Sequence, residues 1–111
     1  ICVFHHVPPS QWPVLAAEVV RVTAPRGVVA LIEHNPFNPL TQYVVRTNEL
    51  DEGAVLMRPR AGRRLLAEAG AARVALRYLQ FFPLGGRVFR MLDDSLTWLP
   101  LGAQYLVEGQ T

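Results

Sequence analysis

Three histidines and a glutamate follow two short apolar runs in the sequence. His5 and His6 come directly after the run at residues 1–4, and Glu33 and His34 come directly after the run at residues 28–32. Strand carboxyl ends are where open α/β sheets bind their ligands, so these side chains are expected near one crevice. A histidine with its ordinary pKa of about 6.5 is suited to proton transfer at neutral pH. The three histidines are therefore candidates for proton transfer, and Glu33 is a candidate to orient one of them or the substrate.

A metal site is the alternative use of this group of side chains. Adjacent histidines on an extended chain point in different directions, and the set lacks a recognised spacing of metal ligands. We therefore predict that no metal is bound. A surface or capping role remains the alternative for each histidine.

The apolar pattern indicates which elements position these residues. The runs at 1–4 and 28–32 are typical of strands that are buried on both faces of a parallel sheet. Helical spacing predicts a helix between them, and Pro25 and Gly27 end it. Further helices are predicted over about 38–46, 60–69 and after Gly86, with strands over 73–82 and 101–108, while 47–59 is expected to form a short helix or lid segment. This alternation favours a mostly parallel α/β sheet.

Composition limits the classes of protein that fit. The chain has 111 residues and is 50% hydrophobic, which suits one domain. All 11 basic residues are arginines scattered along the chain, and this argues against a nucleic-acid surface. The lone Cys2 excludes an intrachain disulfide and fits a cytoplasmic protein. No apolar run approaches the roughly 18 residues that span a membrane, and no membrane association is expected.

Three short motifs carry a family resemblance. They are Phe4-His5-His6-Val7, Pro25-Arg26-Gly27 and the segment Leu65-Leu66-Ala67-Glu68-Ala69-Gly70. Their order and spacing resemble the C-terminal half of a class I S-adenosylmethionine-dependent methyltransferase, although Arg26 and Ala71 depart from the usual glycine and phenylalanine. The resemblance implies a single partial domain over 1–111 with a Rossmann-like sheet in the order 4-5-7-6, the last strand antiparallel and helices on both faces. The Gly-rich cofactor-binding half is not in this sequence.

The resemblance also implies roles for individual residues. The segment after the second strand usually faces the acceptor in this family, so His34 is the candidate general base and Glu33 is a candidate catalytic residue that orients it or the substrate. Residues expected near the cofactor, S-adenosylmethionine, are Phe4, His5 and His6. Residues expected near a small-molecule acceptor are Asn35, Phe37 and Asn38, although the two asparagines also suit a structural role in the turn and as a helix cap. Phe81 and Phe82 either border the acceptor pocket or belong to the core.

Two functions remain open at this stage. The first is a methyltransferase of which these residues form the C-terminal portion, inactive as a fragment alone. Its missing N-terminal half, or a second copy of the chain, is expected to cover the edge from Ile1 to Phe4. The alternative is a non-catalytic α/β dimerisation or binding module that derives from a methyltransferase.

Overall fold

The computed structural model describes residues 1–80 and 86–111. Within these ranges the helices are α1 (Trp12–Val22), α2 (Pro39–Thr47), α3 (Pro59–Glu68) and α4 (Arg87–Ser95), and the strands are β1 (Val28–His34), β2 (Ala72–Leu79) and β3 (Gln104–Gln110). Single 3-10 turns form at Phe4–His6, Pro9–Gln11 and Glu49–Asp51. Across the described ranges, none of the helices has the length and apolar character needed to cross a membrane.

The sheet has the strand order β1-β3-β2. The last strand, β3, lies between the other two and runs antiparallel to both, with Tyr105 opposite both Glu33 and Tyr78. The α/β class is therefore confirmed, and so is the antiparallel direction of the last strand. The expected mostly parallel pairing is not found among the described residues, because β3 lies between β1 and β2 and makes both strand pairs antiparallel. The four-strand order 4-5-7-6 is not confirmed, because the structure has three strands in its described part.

The predicted strand at residues 1–4 is wrong. Cys2 donates one backbone hydrogen bond to Ile32 at 2.7 Å and has a φ of +50°, so the segment turns away from β1. The amides of Val3 and Phe4 then donate to the side chain of Glu33 rather than to the backbone of β1. A buried carboxylate has taken the donors that a strand ladder would use, and the chain continues as a 3-10 turn.

The remaining predictions differ from the structure mainly at element ends. Asn38 caps α2 by accepting from the Thr41 amide at 2.9 Å, and Pro39 opens the helix, as the sequence predicts. The last strand begins at Gln104 rather than 101, because the Pro100–Ala103 segment forms turns beside the end of β2. The predicted strand over 73–82 is found from Ala72 to Leu79, and Phe81 and Phe82 lie outside the described residues.

The core lies between α3, α1 and one face of the sheet. Tyr105 and Val107 of β3 are fully buried there, beside Leu31 and Leu66. Gly62 of α3 makes this packing possible, since a Cβ at that position would meet Leu31, Met57 and Tyr105 at 3.3 to 3.4 Å. On the opposite face α2 covers only the end of the sheet near His34, and Val28 is exposed.

Candidate functional site

The turn after residues 1–4 is fixed by backbone contacts from two directions. The indole N–H of Trp12 donates to the carbonyls of Phe4 and Val7 at 2.8 and 2.9 Å. The Val55 amide donates to the carbonyl of His5 at 3.0 Å, which ties the segment after α2 to the turn. These bonds bring His5 and Asp51 together although 46 positions separate them in the sequence.

Glu33 is the centre of the polar contacts at the end of β1. It is 1% exposed, and its Oε1 accepts from the amides of Val3 and Phe4 at 2.8 Å. Its Oε2 accepts from Nδ1 of His5 at 2.7 Å. Three donors, one of them a histidine, compensate the burial of this carboxylate.

His5, His6, Glu33 and Asp51 form a group that we call the histidine–carboxylate cluster. His5 is 2% exposed, and its Nε2 lies 3.4 Å from Oδ1 of Asp51. Nε2 of His6 lies 3.6 Å from the same oxygen, with the two imidazole ring centroids 4.0 Å apart. Two imidazoles therefore converge on one carboxylate oxygen, while Glu33 holds His5 from behind.

His34 lies next to this cluster but outside its hydrogen bonds. Its ring centroid is 5.1 Å from that of His5, and it lines a pocket of about 190 Å³ with Thr41, Ala103 and Gln104. Partial burial, and then the charge of His5, lower the pKa of His34, against a smaller opposing effect of Asp51 and Glu33. The neutral imidazole, which is the form that a general base requires, is favoured at neutral pH.

Asn35 and Asn38 support the loop that precedes β3. Asn35 is fully buried, and its side-chain amide donates to the carbonyls of Pro100 and Gly102 at 3.2 and 2.7 Å. The side-chain amide of Asn38 donates to the carbonyl of Leu101 at 2.8 Å. Both asparagine side chains therefore donate to backbone carbonyls, and these hydrogen bonds fix the position of residues 100–102.

That loop forms one wall of a cavity with a volume of about 760 Å³. We call it the aromatic cleft after Phe37, Tyr78 and Trp98, which line it together with Leu101. Arg58 and Arg60 lie at its other side and supply positive charge. An apolar surface with a few charged groups is typical of a small-molecule site.

The structure brings only part of the predicted site together. His5, His6 and Glu33 share one cluster, His34 adjoins it, and Phe37 lies in the aromatic cleft. Phe4 and His5 are buried, so among the three residues predicted to contact the cofactor only His6 presents its side chain to solvent. The catalytic, cofactor and substrate roles of these residues stay predictions.

Two parts of the candidate site were missed by sequence reasoning. Asp51 lies in the stretch 47–59, where the apolar pattern gives no clear periodicity and no motif marks the residue. Trp98 follows α4, within a segment that was predicted to continue the helix. The hydrogen bond from the Tyr78 amide to the Thr97 carbonyl places it at the cleft, and a long-range contact of this kind has no local sequence signal.

Comparison with known proteins finds a solved structure with a similar fold. No protein-family model matches the chain, and no curated protein sequence matches it. The structure is similar to the crystal structure of an S-adenosylmethionine-dependent methyltransferase from Archaeoglobus fulgidus, with a TM-score of 0.70 and 12% sequence identity. The superposition covers 99% of this chain and 56% of that protein, so the chain spans little more than half of its length. The chain therefore shares the fold of the matched part of that protein.

Proposed function

We propose that this chain is the C-terminal portion of an S-adenosylmethionine-dependent methyltransferase that acts on a small-molecule acceptor. The observation that carries the proposal is the superposition of 99% of the chain on such an enzyme with a TM-score of 0.70. The position of the polar residues supports it. They lie at the carboxyl end of β1, the end at which open α/β sheets bind ligands.

The proposed reaction requires alignment of the acceptor and removal of its proton. Bound S-adenosylmethionine supplies the methyl group. His34 removes the proton from the acceptor hydroxyl or amine, since its lowered pKa keeps the imidazole neutral. Phe37, three residues further along, presents an exposed ring in the aromatic cleft and orients the acceptor.

The described residues fit only a part of the cofactor. The turn Phe4–His6 lies beside the end of β1, where His6 is exposed, and this exposure supports a proposed contact of His6 with the methionine portion of the cofactor. The sequence has no Gly-rich turn for the rest of the cofactor. We propose that an N-terminal half binds that part and covers the edge beside residues 1–4, where Ile1 and Val3 are exposed.

Substitution of His34 in the intact protein tests the catalytic part of the proposal. We expect His34→Ala to lower turnover by about 10²-fold or more, the usual contribution of a general base. The affinity for S-adenosylmethionine is expected to stay nearly unchanged, because His34 faces the acceptor. Release of S-adenosylhomocysteine measures turnover, and calorimetry measures cofactor binding.

A control variant and the chain alone complete the test. Ser10→Ala changes an exposed residue that lines none of the described pockets, and it is expected to leave turnover unchanged. Equal turnover of His34→Ala and the unmodified protein would remove His34 from the mechanism. The 111 residues alone are expected to show no specific S-adenosylmethionine binding. Micromolar binding by the chain alone would show that these residues, rather than an N-terminal half, contain the cofactor site.

Sedimentation of the chain alone tests the edge. The exposed apolar side chains Ile1 and Val3 are expected to cause self-association or aggregation of these residues. A single sharp monomer that unfolds cooperatively would show that the edge needs no covering partner. A stable dimer would favour a second copy of the chain over an N-terminal half.

A further inference from the structure

We propose that His5, His6 and Asp51 form a binding site for a divalent transition metal ion, with zinc as the best match. This goes beyond methyl transfer and does not depend on it. The three ligand atoms, Nε2 of each histidine and a carboxylate oxygen of Asp51, lie within 4.8 Å of one another. Two imidazoles and a carboxylate are a common set of protein ligands for zinc.

The distances fit a shared ion better than they fit direct hydrogen bonds. Nε2 of His5 and Nε2 of His6 lie 3.4 and 3.6 Å from Oδ1 of Asp51. Hydrogen bonds between nitrogen and oxygen are usually about 2.7–3.2 Å long. Tetrahedral zinc with bonds of about 2.0–2.1 Å separates its ligand atoms by about 3.3 Å. Small side-chain shifts would therefore place all three atoms around one ion.

The other ring nitrogen of His5 is held as it is in zinc proteins. Nδ1 contacts Oε2 of Glu33 at 2.7 Å, and Nε2 on the other side of the ring lies 3.4 Å from Oδ1 of Asp51. A buried carboxylate behind a ligating histidine fixes its tautomer and strengthens its basicity. Glu33 is fixed in turn by the amides of Val3 and Phe4.

The 3-10 turn removes one of the two sequence arguments against a metal, the one from the directions of adjacent side chains. That argument assumed an extended chain, in which consecutive side chains point to opposite sides. Phe4–His6 instead form a turn, and the two ring centroids are 4.0 Å apart. His6 is 46% exposed, which gives an ion access from solvent. Three protein ligands leave a fourth position open, as in catalytic zinc sites.

A zinc titration of the purified protein tests the site without cofactor or acceptor. We expect one equivalent of Zn²⁺ to be taken from a chromophoric chelator, and Co²⁺ in its place to give the visible absorption of a tetrahedral site. His6→Ala and Asp51→Asn are each expected to weaken binding at least about tenfold. Glu33→Gln is expected to weaken it about 10–100-fold, the usual effect of losing an outer-shell partner. Far-ultraviolet circular dichroism shows whether each variant is folded.

His34→Ala is the matched control, because it removes a nearby histidine that does not belong to the three-ligand group. Its zinc affinity is expected to equal that of the unmodified protein. Absence of zinc binding, or equal affinity in folded His6→Ala and Asp51→Asn, would overturn the proposal. An equally large loss in His34→Ala would overturn the assignment of the ligands. Each readout is independent of methyl transfer, so failure of the proposed enzyme activity would leave this result unaffected.

Discussion

The histidine–carboxylate cluster and the aromatic cleft are built in opposite ways. In the cluster, Glu33 and His5 are almost wholly buried and their polar atoms contact one another or nearby backbone. In the cleft, Trp98 is 71% exposed and Phe37 is 54% exposed. The cluster is thus fixed before any ligand arrives, whereas the cleft offers apolar surface that a ligand would cover.

This difference separates two kinds of work. Fixed charged and polar groups suit proton or metal chemistry, because they need no rearrangement when charge develops. Exposed aromatic rings suit recognition, because covering them removes apolar area from water at little entropic cost. The comparison predicts that substitutions beneath the cleft change stability, that substitutions on its surface change substrate affinity, and that substitutions beside the cluster change the response to pH.

The largest effect on stability is expected from Asn35→Ala, beneath the aromatic cleft. The change leaves the buried carbonyl of Gly102 and the amide of Phe37 without their partner, so the free energy of unfolding is expected to fall by about 1–3 kcal/mol. Urea unfolding followed by circular dichroism measures it. Ser10→Ala serves as the control, since Ser10 is exposed to water and the loss is expected to stay within about 0.5 kcal/mol. Equal losses in both variants would show that the cleft has no buried support.

A smaller effect is expected from Trp98→Ala in the intact protein, assayed for the proposed methyl transfer. Removal of one exposed aromatic ring is expected to raise the KM for the acceptor about 2–10-fold, which corresponds to about 0.5–1.5 kcal/mol of aromatic contact. The turnover number is expected to stay nearly constant, because the ring binds ground state and transition state alike. Leu50→Ala removes an exposed apolar side chain that does not line the cleft and is the control. A fall in turnover without a change in KM would assign Trp98 to the chemistry instead.

The sequence predicts the helices and the strands β1, β2 and β3 well because their signals are local. Asn38 and Pro39 mark the start of α2, and the apolar run before Glu33 marks β1. Residues 1–4 have the same apolar pattern but form no strand, because the Glu33 side chain takes the amides of Val3 and Phe4. That competition joins residues about 30 positions apart, and neither segment reveals it alone.

The candidate site follows the same rule. His5, His6, Glu33 and His34 were found because each follows an apolar run directly, and the structure places them close together. Asp51 was missed because its place depends on the Val55 to His5 backbone bond rather than on its neighbours in sequence. Asn35 was predicted to contact the acceptor, yet its side chain is satisfied by backbone groups, and a sequence motif does not distinguish these two uses.

The smallest expected effect concerns the pH dependence of stability. The pKa of His34 is lowered in the folded protein, first by burial and then by His5, whereas it returns to about 6.5 on unfolding. Between these two pKa values the unfolded state binds more protons, so the free energy of unfolding falls as the pH decreases through that window. The contribution of neutral His34 to the free energy of unfolding is therefore fully present above about pH 7 and is lost as the pH falls below the folded pKa.

His34→Asn tests this sign because it removes the titrating group and keeps a side chain of similar size. The difference in unfolding free energy between the unmodified protein and His34→Asn is expected to shrink or reverse as the pH falls from 7.5 through 6.5 toward the folded pKa, which lies below about 6.5. Urea midpoints at a series of pH values measure it, and Ser10→Ala, a change at an exposed residue, measured over the same series corrects for residues that titrate elsewhere. Two parallel curves would mean that His34 has the same pKa in both states, and the argument that burial keeps it neutral for catalysis would fail with them.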